Sequence, residues 1–176
     1  MDSTFPELYN SLTKHDIRMM LIGGHAMQSY GVVRQTLDVD LLAMDEDVPK
    51  IREIMKNNGC VLLAETENFL RFHHQESGMM DIDVLLVDCP TFGALYDSGS
   101  TCDTFFGKWR IPSPAHFIAL KLHAVKNNPL RETRDVADIV DILRKSGNSI
   151  SQEELKLLCE KYGPEGIHEK IRRHLS

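Results

Sequence analysis

The chain has 176 residues, 42% hydrophobic and 26% charged, with a formal net charge of -6. These values fit a globular protein with room for one ordinary domain, or for a small domain carrying a helical appendage. The acidic balance excludes a general nucleic-acid binder, which needs a basic face. No apolar run approaches a membrane span, and the polar start MDSTFPELYN is not a signal peptide. Cys60, Cys89, Cys102 and Cys159 show no C-x-x-C spacing, which argues against zinc and against a disulfide framework. A cytoplasmic chain with free thiols and no membrane partner is expected.

Residues 3–14 read as a helix capped by Ser3 or Thr4, with Phe5, Leu8, Tyr9 and Leu12 on one face. The stretch LIGGHAMQSYGVVRQTLDVDLL, Leu21 to Leu42, follows. It predicts a strand from Arg18 to Ile22, a tight turn at Gly23-Gly24, a helix from Gly24 to about Tyr30, and a second strand carrying Asp38 and Asp40. The glycines permit close backbone approach, and the helix start directs free N–H groups and a positive dipole end at whatever sits there. Alternate strand residues share a face, so Asp38 and Asp40 point one way and Leu37, Val39 and Leu41 the other. Two neighbouring carboxylates on such a strand repel each other and are costly to desolvate. A divalent cation removes both penalties, and Mg²⁺ is held by one or two carboxylates together with substrate phosphates. Arg34 and Thr36, on the connection into this strand, are close enough to touch a bound nucleotide or to brace the carboxylates.

Asp45-Glu46-Asp47 reads as a helix start, with the helix running from Val48 to Lys56 and Asn57-Asn58-Gly59 ending it. Cys60–Leu63 and Phe69–Gln75 read as strands joined by the turn Glu65-Thr66-Glu67-Asn68. Met79–Val87 is a third apolar strand, carrying Asp81 and Asp83 on one face; spacing alone does not choose between them. Pro90–Tyr96 forms a short helix, and Thr101–Phe106 with Lys108–Ile111 a hairpin turning at Gly107. From Ser113-Pro114 onward the period is helical: to about Val125, then Arg131–Lys145 stopped by Gly147, Ser151–Tyr162 with a Ser151/Glu154 capping box, and Pro164–Leu175. Adjacent His73 and His74 face opposite ways on a strand, with no acidic partner at ligand spacing, so they form no joint metal site. An α+β fold with a mixed sheet is expected, residues 1–111 forming a core and 112–176 a helical region packed on it.

Gly-Gly, a short helix, Arg34-x-Thr36-x-Asp38-x-Asp40 and an apolar run together resemble the signature of the DNA polymerase β-like nucleotidyltransferase superfamily. The similarity is greatest to its small prokaryotic branch of antibiotic nucleotidyltransferases and toxin components, and covers roughly residues 18 to 145. The resemblance implies a third carboxylate on a strand beside the first pair. The apolar–Asp–apolar–apolar pattern of that family favours Asp83, in Ile82-Asp83-Val84-Leu85, over Asp81. It further implies that Lys121, in Leu120-Lys121-Leu122-His123-Ala124, faces a triphosphate. Arg134, Asp135 and Asp138 look like the family's charged helix, better read as a brace for Lys121 than as direct chemistry. Where many active members have Gly-Ser, this chain has Gly23-Gly24.

The resemblance thus implies a metal-dependent nucleotidyltransferase that moves an NMP from an NTP such as ATP to an acceptor hydroxyl, releasing pyrophosphate. Asp38, Asp40 and Asp83 would hold two Mg²⁺ (or Mn²⁺) ions, Asp83 also being placed to accept a proton, while Gly23, Gly24, Arg34, Thr36 and Lys121 would bind the nucleotide. The acceptor is a small molecule, a tRNA end or a protein hydroxyl. Two alternatives stand beside it: a catalytically silent nucleotide-binding module, and a toxin-type enzyme acting on tRNA. An antitoxin partner or a homodimer belongs with these readings. The tail residues Lys170, Arg172, Arg173 and His174 fit the end of a last helix better than a patch for an acidic acceptor.

Overall fold

The computed structural model describes residues 4–76, 78–104, 107–146 and 149–175. Ser3 as a cap, Phe106 in the hairpin, Gly147 as a helix stop and the side chain of Phe5 lie outside what is described. The chain forms two compact units, one built from residues up to Ser29 together with Arg34–Ile111, the other from Tyr30–Val33 and residues 112 onward.

The first unit is a five-stranded mixed sheet with helices. In chain order it contains α1 (Thr4–Lys14), β1 (Met20–Leu21), α2 (Gly23–Met27), β2 (Asp38–Met44), α3 (Val48–Asn57), β3 (Cys60–Thr66), β4 (Phe69–His74), β5 (Asp81–Val87) and α4 (Cys89–Ser98). A separate ribbon pairs β6 (Ser100–Thr104) with β7 (Gly107–Ile111). The sheet order is β1-β2-β5-β4-β3. Only β2 and β5 run parallel; the other neighbours are antiparallel. Parallel neighbours require a long crossover, and here α3 and the β3–β4 hairpin lie within it.

The residues of β2 explain where its two aspartates sit. Val39, Leu41, Leu42, Ala43 and Met44 are all buried, so beyond Asp40 the strand is covered on both faces. Asp38 and Asp40 lie at its N-terminal end, where one face is still open. Leu37, expected to point inward with Val39, precedes the strand and is 79% exposed. The sheet core is completed by Leu70 and Phe72 from β4 and by Ile82, Val84 and Leu86 from β5, with Ile51 and Met55 of α3 also buried.

Several boundaries differ from the sequence reading. The first strand is confined to Met20–Leu21, because Gly23 already turns the chain with φ of 65°. Ile22 still donates its backbone N–H to the carbonyl of Asp40 at 2.9 Å, tying the turn to the aspartate strand. Strand β3 runs on to Thr66, with an irregularity between Leu62 and Ala64, leaving Glu67-Asn68 as the turn. As the last strand of the sheet it keeps Glu65 in solvent, so a polar end does not terminate it.

The second unit holds α5 (Pro114–Asn127), α6 (Glu132–Lys145), α7 (Gln152–Tyr162) and α8 (Ile167–Leu175). Its last helix begins at Ile167 rather than Pro164, since Gly166 adopts φ of 76° in the turn before it. The hydroxyls of Ser113 and Ser151 accept backbone N–H bonds from His116 and Glu154 at 3.4 and 3.1 Å, capping α5 and α7. The Tyr30 hydroxyl donates to the carbonyl of Pro112, and the Tyr30 ring meets Phe117 edge-on at 6.1 Å. Phe117, Ile118, Leu122, Val125, Ile139, Ile142, Leu155 and Ile171 are all buried and form the core of this unit. Among the described residues no helix is long and apolar enough to cross a membrane.

Candidate active site

Register assembles the site. Asp38 stands opposite Asp81 and Asp40 opposite Asp83 across the parallel β2–β5 pair, and Arg71 of β4 stands opposite Asp83 on the other side. Residues directly opposite one another share a face of the sheet. Two rows therefore cross three strands on one face: Asp40, Asp83, Arg71, and beside it Asp38, Asp81, His73.

One ligand oxygen from each of Asp38, Asp40 and Asp83 lies within 4.8 Å of the other two. Asp81 stays out of this cluster; its Oδ1 lies 2.7 Å from Nδ1 of His73. The histidine therefore has a carboxylate partner after all, on the neighbouring strand, where local sequence spacing could not reveal it. His74 faces the other way and is buried, as alternation requires. Three anionic oxygen donors and no nitrogen or sulfur donor in the cluster suit a hard divalent cation such as Mg²⁺ or Mn²⁺.

Asp83 is only 10% exposed, and both its oxygens are engaged by Arg71, Nε to Oδ1 at 2.7 Å and Nη2 to Oδ2 at 2.5 Å. The hydrogen bonds Arg71 donates to Asp83 and the charge of Asp83, and then the charges of Asp38 and Asp81, push the Arg71 guanidinium further up from its already high pKa, against desolvation. Its plane also lies over the Phe69 ring, 5.7 Å from the centroid. Sequence reasoning gave Arg71 no role. The available signal was a lone arginine within the strand Phe69-Leu70-Arg71-Phe72, but only the β4–β5 register shows what it meets.

Gly23 and Gly24 are held close to the acidic strand. A Cβ on Gly23 would lie 1.8 Å from Oδ2 of Asp40, and one on Gly24 would lie 2.9 Å from Cβ of Thr36. Thr36 in turn donates its hydroxyl to Oδ1 of Asp38 at 2.7 Å. The glycine pair therefore admits the backbone to the edge of the carboxylate cluster, and Thr36 fixes one of the carboxylates. His25 is half-buried next in sequence; burial lowers its pKa, the charge of Asp38 opposes that and the charge of Arg34 assists it. Arg34 donates from Nη1 to the Gln35 carbonyl at 3.4 Å.

Lys121 belongs to the helical unit and is not presented there as a lone cation. Its Nζ contacts Oδ1 of Asp135 at 2.9 Å and Oδ2 of Asp138 at 2.6 Å, and the side chain is 7% exposed. Arg131 donates to the second oxygen of Asp135 at 2.8 Å, whereas Arg134 stands 3.9 Å away. Burial pushes the Asp135 carboxyl up, but the Arg131 hydrogen bond and the charge and hydrogen bond of Lys121 outweigh it and hold its pKa below the ordinary value. This is a buried ion network in which two of the three Lys121 donors are spent on carboxylates, and it braces α5 against α6.

The family model described as "Uncharacterised nucleotidyltransferase" matches residues 1–174, and the chain belongs to that family. No curated protein matches it in sequence. Among solved structures it is similar to the antibiotic-resistance factor ANT(2'')-Ia in solution, with 14% identity, 98% of this chain and 95% of that one covered, and a TM-score of 0.67. The crystal structure of ANT(2'')-Ia in complex with adenylyl-2''-tobramycin gives 15% identity, 99% and 98% coverage, and a TM-score of 0.61. The lincosamide antibiotic adenylyltransferase LnuA, bound to lincomycin, gives 12% identity, 81% and 96% coverage, and a TM-score of 0.57. At these identities the likeness is one of fold, and the fold is that of nucleotidyltransferases.

Proposed function

From that membership we propose that this nucleotidyltransferase moves an NMP from an NTP to a hydroxyl of a small acceptor molecule, with a divalent metal site at Asp38, Asp40 and Asp83. The observation that carries the reading is the convergence of those three carboxylates from two strands, one oxygen of each within 4.8 Å of the others. Arg71 offsets the charge of Asp83, and the remaining negative charge of three carboxylates drawn this close favours a further cation. In the reaction the acceptor oxygen forms a bond to the α-phosphorus, the bond from that phosphorus to the β-bridging oxygen breaks, and pyrophosphate leaves. When bound, divalent cations supply the charge that offsets the triphosphate and favours the acceptor alkoxide.

The chain's own residues divide the remaining work. Gly23 and Gly24 let the backbone approach the phosphates, which side chains there would block. Thr36 holds Asp38 in one orientation, and Arg34 adds positive charge on the nucleotide side. Asp83, the carboxylate paired with Arg71, is in this reading the group that receives the acceptor proton. Support for a small hydroxylated acceptor comes from the solved relatives of this fold, which hold an adenylylated tobramycin and lincomycin. The three convergent carboxylates also favour an enzyme over a silent nucleotide-binding module.

The test is calorimetric titration of NTPs into the protein with and without Mg²⁺, beside an Asp38→Ala/Asp40→Ala double variant. Mg²⁺-dependent nucleotide binding that the variant loses supports the reading. Nucleotide binding that ignores both Mg²⁺ and the double substitution overturns it.

A further inference from the structure

Asp83 carries two competing demands. As part of the carboxylate cluster it must offer an oxygen to a cation, yet both of its oxygens already accept hydrogen bonds from Arg71. A carboxylate has about four lone-pair sites, and a bidentate guanidinium uses two of them in the plane that best suits a second ligand. Sharing the group would bring a guanidinium and a divalent ion into repulsion across one small anion. Arg71 is not fixed there by burial, since its side chain is 42% exposed, with the face of Phe69 beneath its guanidinium. Strand register supplies the arrangement: Arg71 of β4 and Asp40 of β2 flank Asp83 from opposite sides on one face.

We infer that Arg71 is an internal counter-cation that occupies Asp83 when no metal is bound, and that it passes to the anionic phosphates of the nucleotide when a divalent ion takes Asp83. Resting on the proposed metal site, this assigns Arg71 as the positioning residue that couples metal binding to nucleotide binding. Without nucleotide, releasing Arg71 opposes the metal. With nucleotide, the freed guanidinium gains a partner of the same chemistry as the carboxylate it left, because arginine pairs with phosphate and carboxylate through the same fork. The consequence is a site that binds metal weakly alone and tightly together with its triphosphate, which limits capture of ions by an empty enzyme.

The experiment titrates Mn²⁺, and separately Mg²⁺, into the wild-type chain, Arg71→Met and Arg71→Lys, first alone and then with a non-hydrolysable NTP analogue, reading affinity by calorimetry. Arg71→Met should bind the ion about tenfold or more tightly than wild type in the absence of nucleotide, the scale expected when one nearby positive charge is removed from a partly screened site. Arg71→Lys keeps the charge and should stay near wild type. With the analogue present the gap between Arg71→Met and wild type should close or reverse. Metal binding by Arg71→Met that is unchanged or weaker without nucleotide overturns the inference, leaving Arg71 a brace for Asp83. A gap that persists unchanged with the analogue overturns the transfer to phosphate. Absence of metal binding by all three proteins overturns the metal site itself and this inference with it. Because Arg71 is 42% exposed, its replacement leaves the core intact, and circular dichroism of each variant checks this.

Discussion

A Cβ added to Gly23 would lie 1.8 Å from Oδ2 of Asp40, so the turn glycine and the strand aspartate leave no room for any other residue at position 23. The backbone there also has φ of 65°, a conformation costing an L-residue roughly 1–2 kcal/mol. Gly23→Ala should therefore destabilise the chain by about 2–4 kcal/mol, combining that strain with overpacking, and should also move Asp40. Chemical denaturation measures the first effect and Mg²⁺ titration the second. A variant with both values unchanged would show that the turn does not abut the aspartate.

Asp83 and Asp81 share a strand face, and the structure gives them different partners. Asp83→Asn should lower metal-dependent nucleotide turnover more than about a hundredfold, the scale of losing a metal ligand rather than an outer partner. Asp81→Asn, which removes the partner of exposed His73, should change it less than about tenfold. Steady-state assays of both variants decide it, and the reverse ranking would mean that Asp81 is the ligand.

The site was legible in the sequence wherever its logic is local. The two-residue spacing of Asp38 and Asp40, and the glycines before them, follow from strand alternation and turn geometry and are read along the chain. Arg71 and the His73–Asp81 contact were not legible, because they depend on which strands pair and in what register. Nothing local to Phe69-Leu70-Arg71-Phe72 specifies that β4 lies against β5 with Arg71 opposite Asp83. The length of β3 was missed for a related reason: at the sheet edge, Glu65 and Thr66 stay in the ladder while facing water. The charged helix was legible as a brace, but its closest arginine proved to be Arg131, one helical turn before Asp135, rather than Arg134 beside it.

Lys121, Asp135 and Asp138 are 7%, 0% and 5% exposed, so the lysine is the buried cation the two carboxylates share, with Arg131 also serving Asp135. Lys121→Met leaves two buried carboxylates short of a partner and should cost about 3–5 kcal/mol of stability, the usual penalty for breaking a buried pair. The same variant, assayed well below its unfolding temperature, should bind Mg²⁺ and NTP with less than about a threefold change in affinity. A folded, stable Lys121→Met that has lost nucleotide binding would instead support the triphosphate role implied by sequence resemblance.

Thiol chemistry separates the four cysteines. Burial pushes the Cys60 thiol up to about 11, and burial followed by the charges of Glu169 and Glu160 pushes Cys159 up to about 11. At pH 8 a thiol of that pKa is only about one part in a thousand thiolate. Cys89, which is exposed, should therefore react first with a disulfide reagent in the native protein. Cys60 and Cys159 should react only as the chain unfolds. Rapid labelling of Cys159 in the folded state, located by peptide mass, would contradict its burial.

Acid should destabilise the chain in two separate windows. Burial lowers the pKa of His25, against the charge of Asp38, and burial lowers that of His116. For such a histidine the unfolded chain takes up protons more readily, so its contribution is fully present above the unfolded pKa near 6.5 and is lost as pH falls through the lower folded value. Asp135 is likewise held below the ordinary carboxylate value, so its contribution is present above about pH 4 and is lost only as pH falls further. The unfolding temperature should accordingly fall on acidification from pH 7 to 5 and fall again below pH 4. His116→Gln should reduce the upper step, leaving the part due to His25, and leave the lower one, while Asp135→Asn should reduce the lower step and leave the upper. Thermal melts across pH 3 to 8 measure both, and an unfolding temperature that rises between pH 7 and 5 would contradict the histidine assignment.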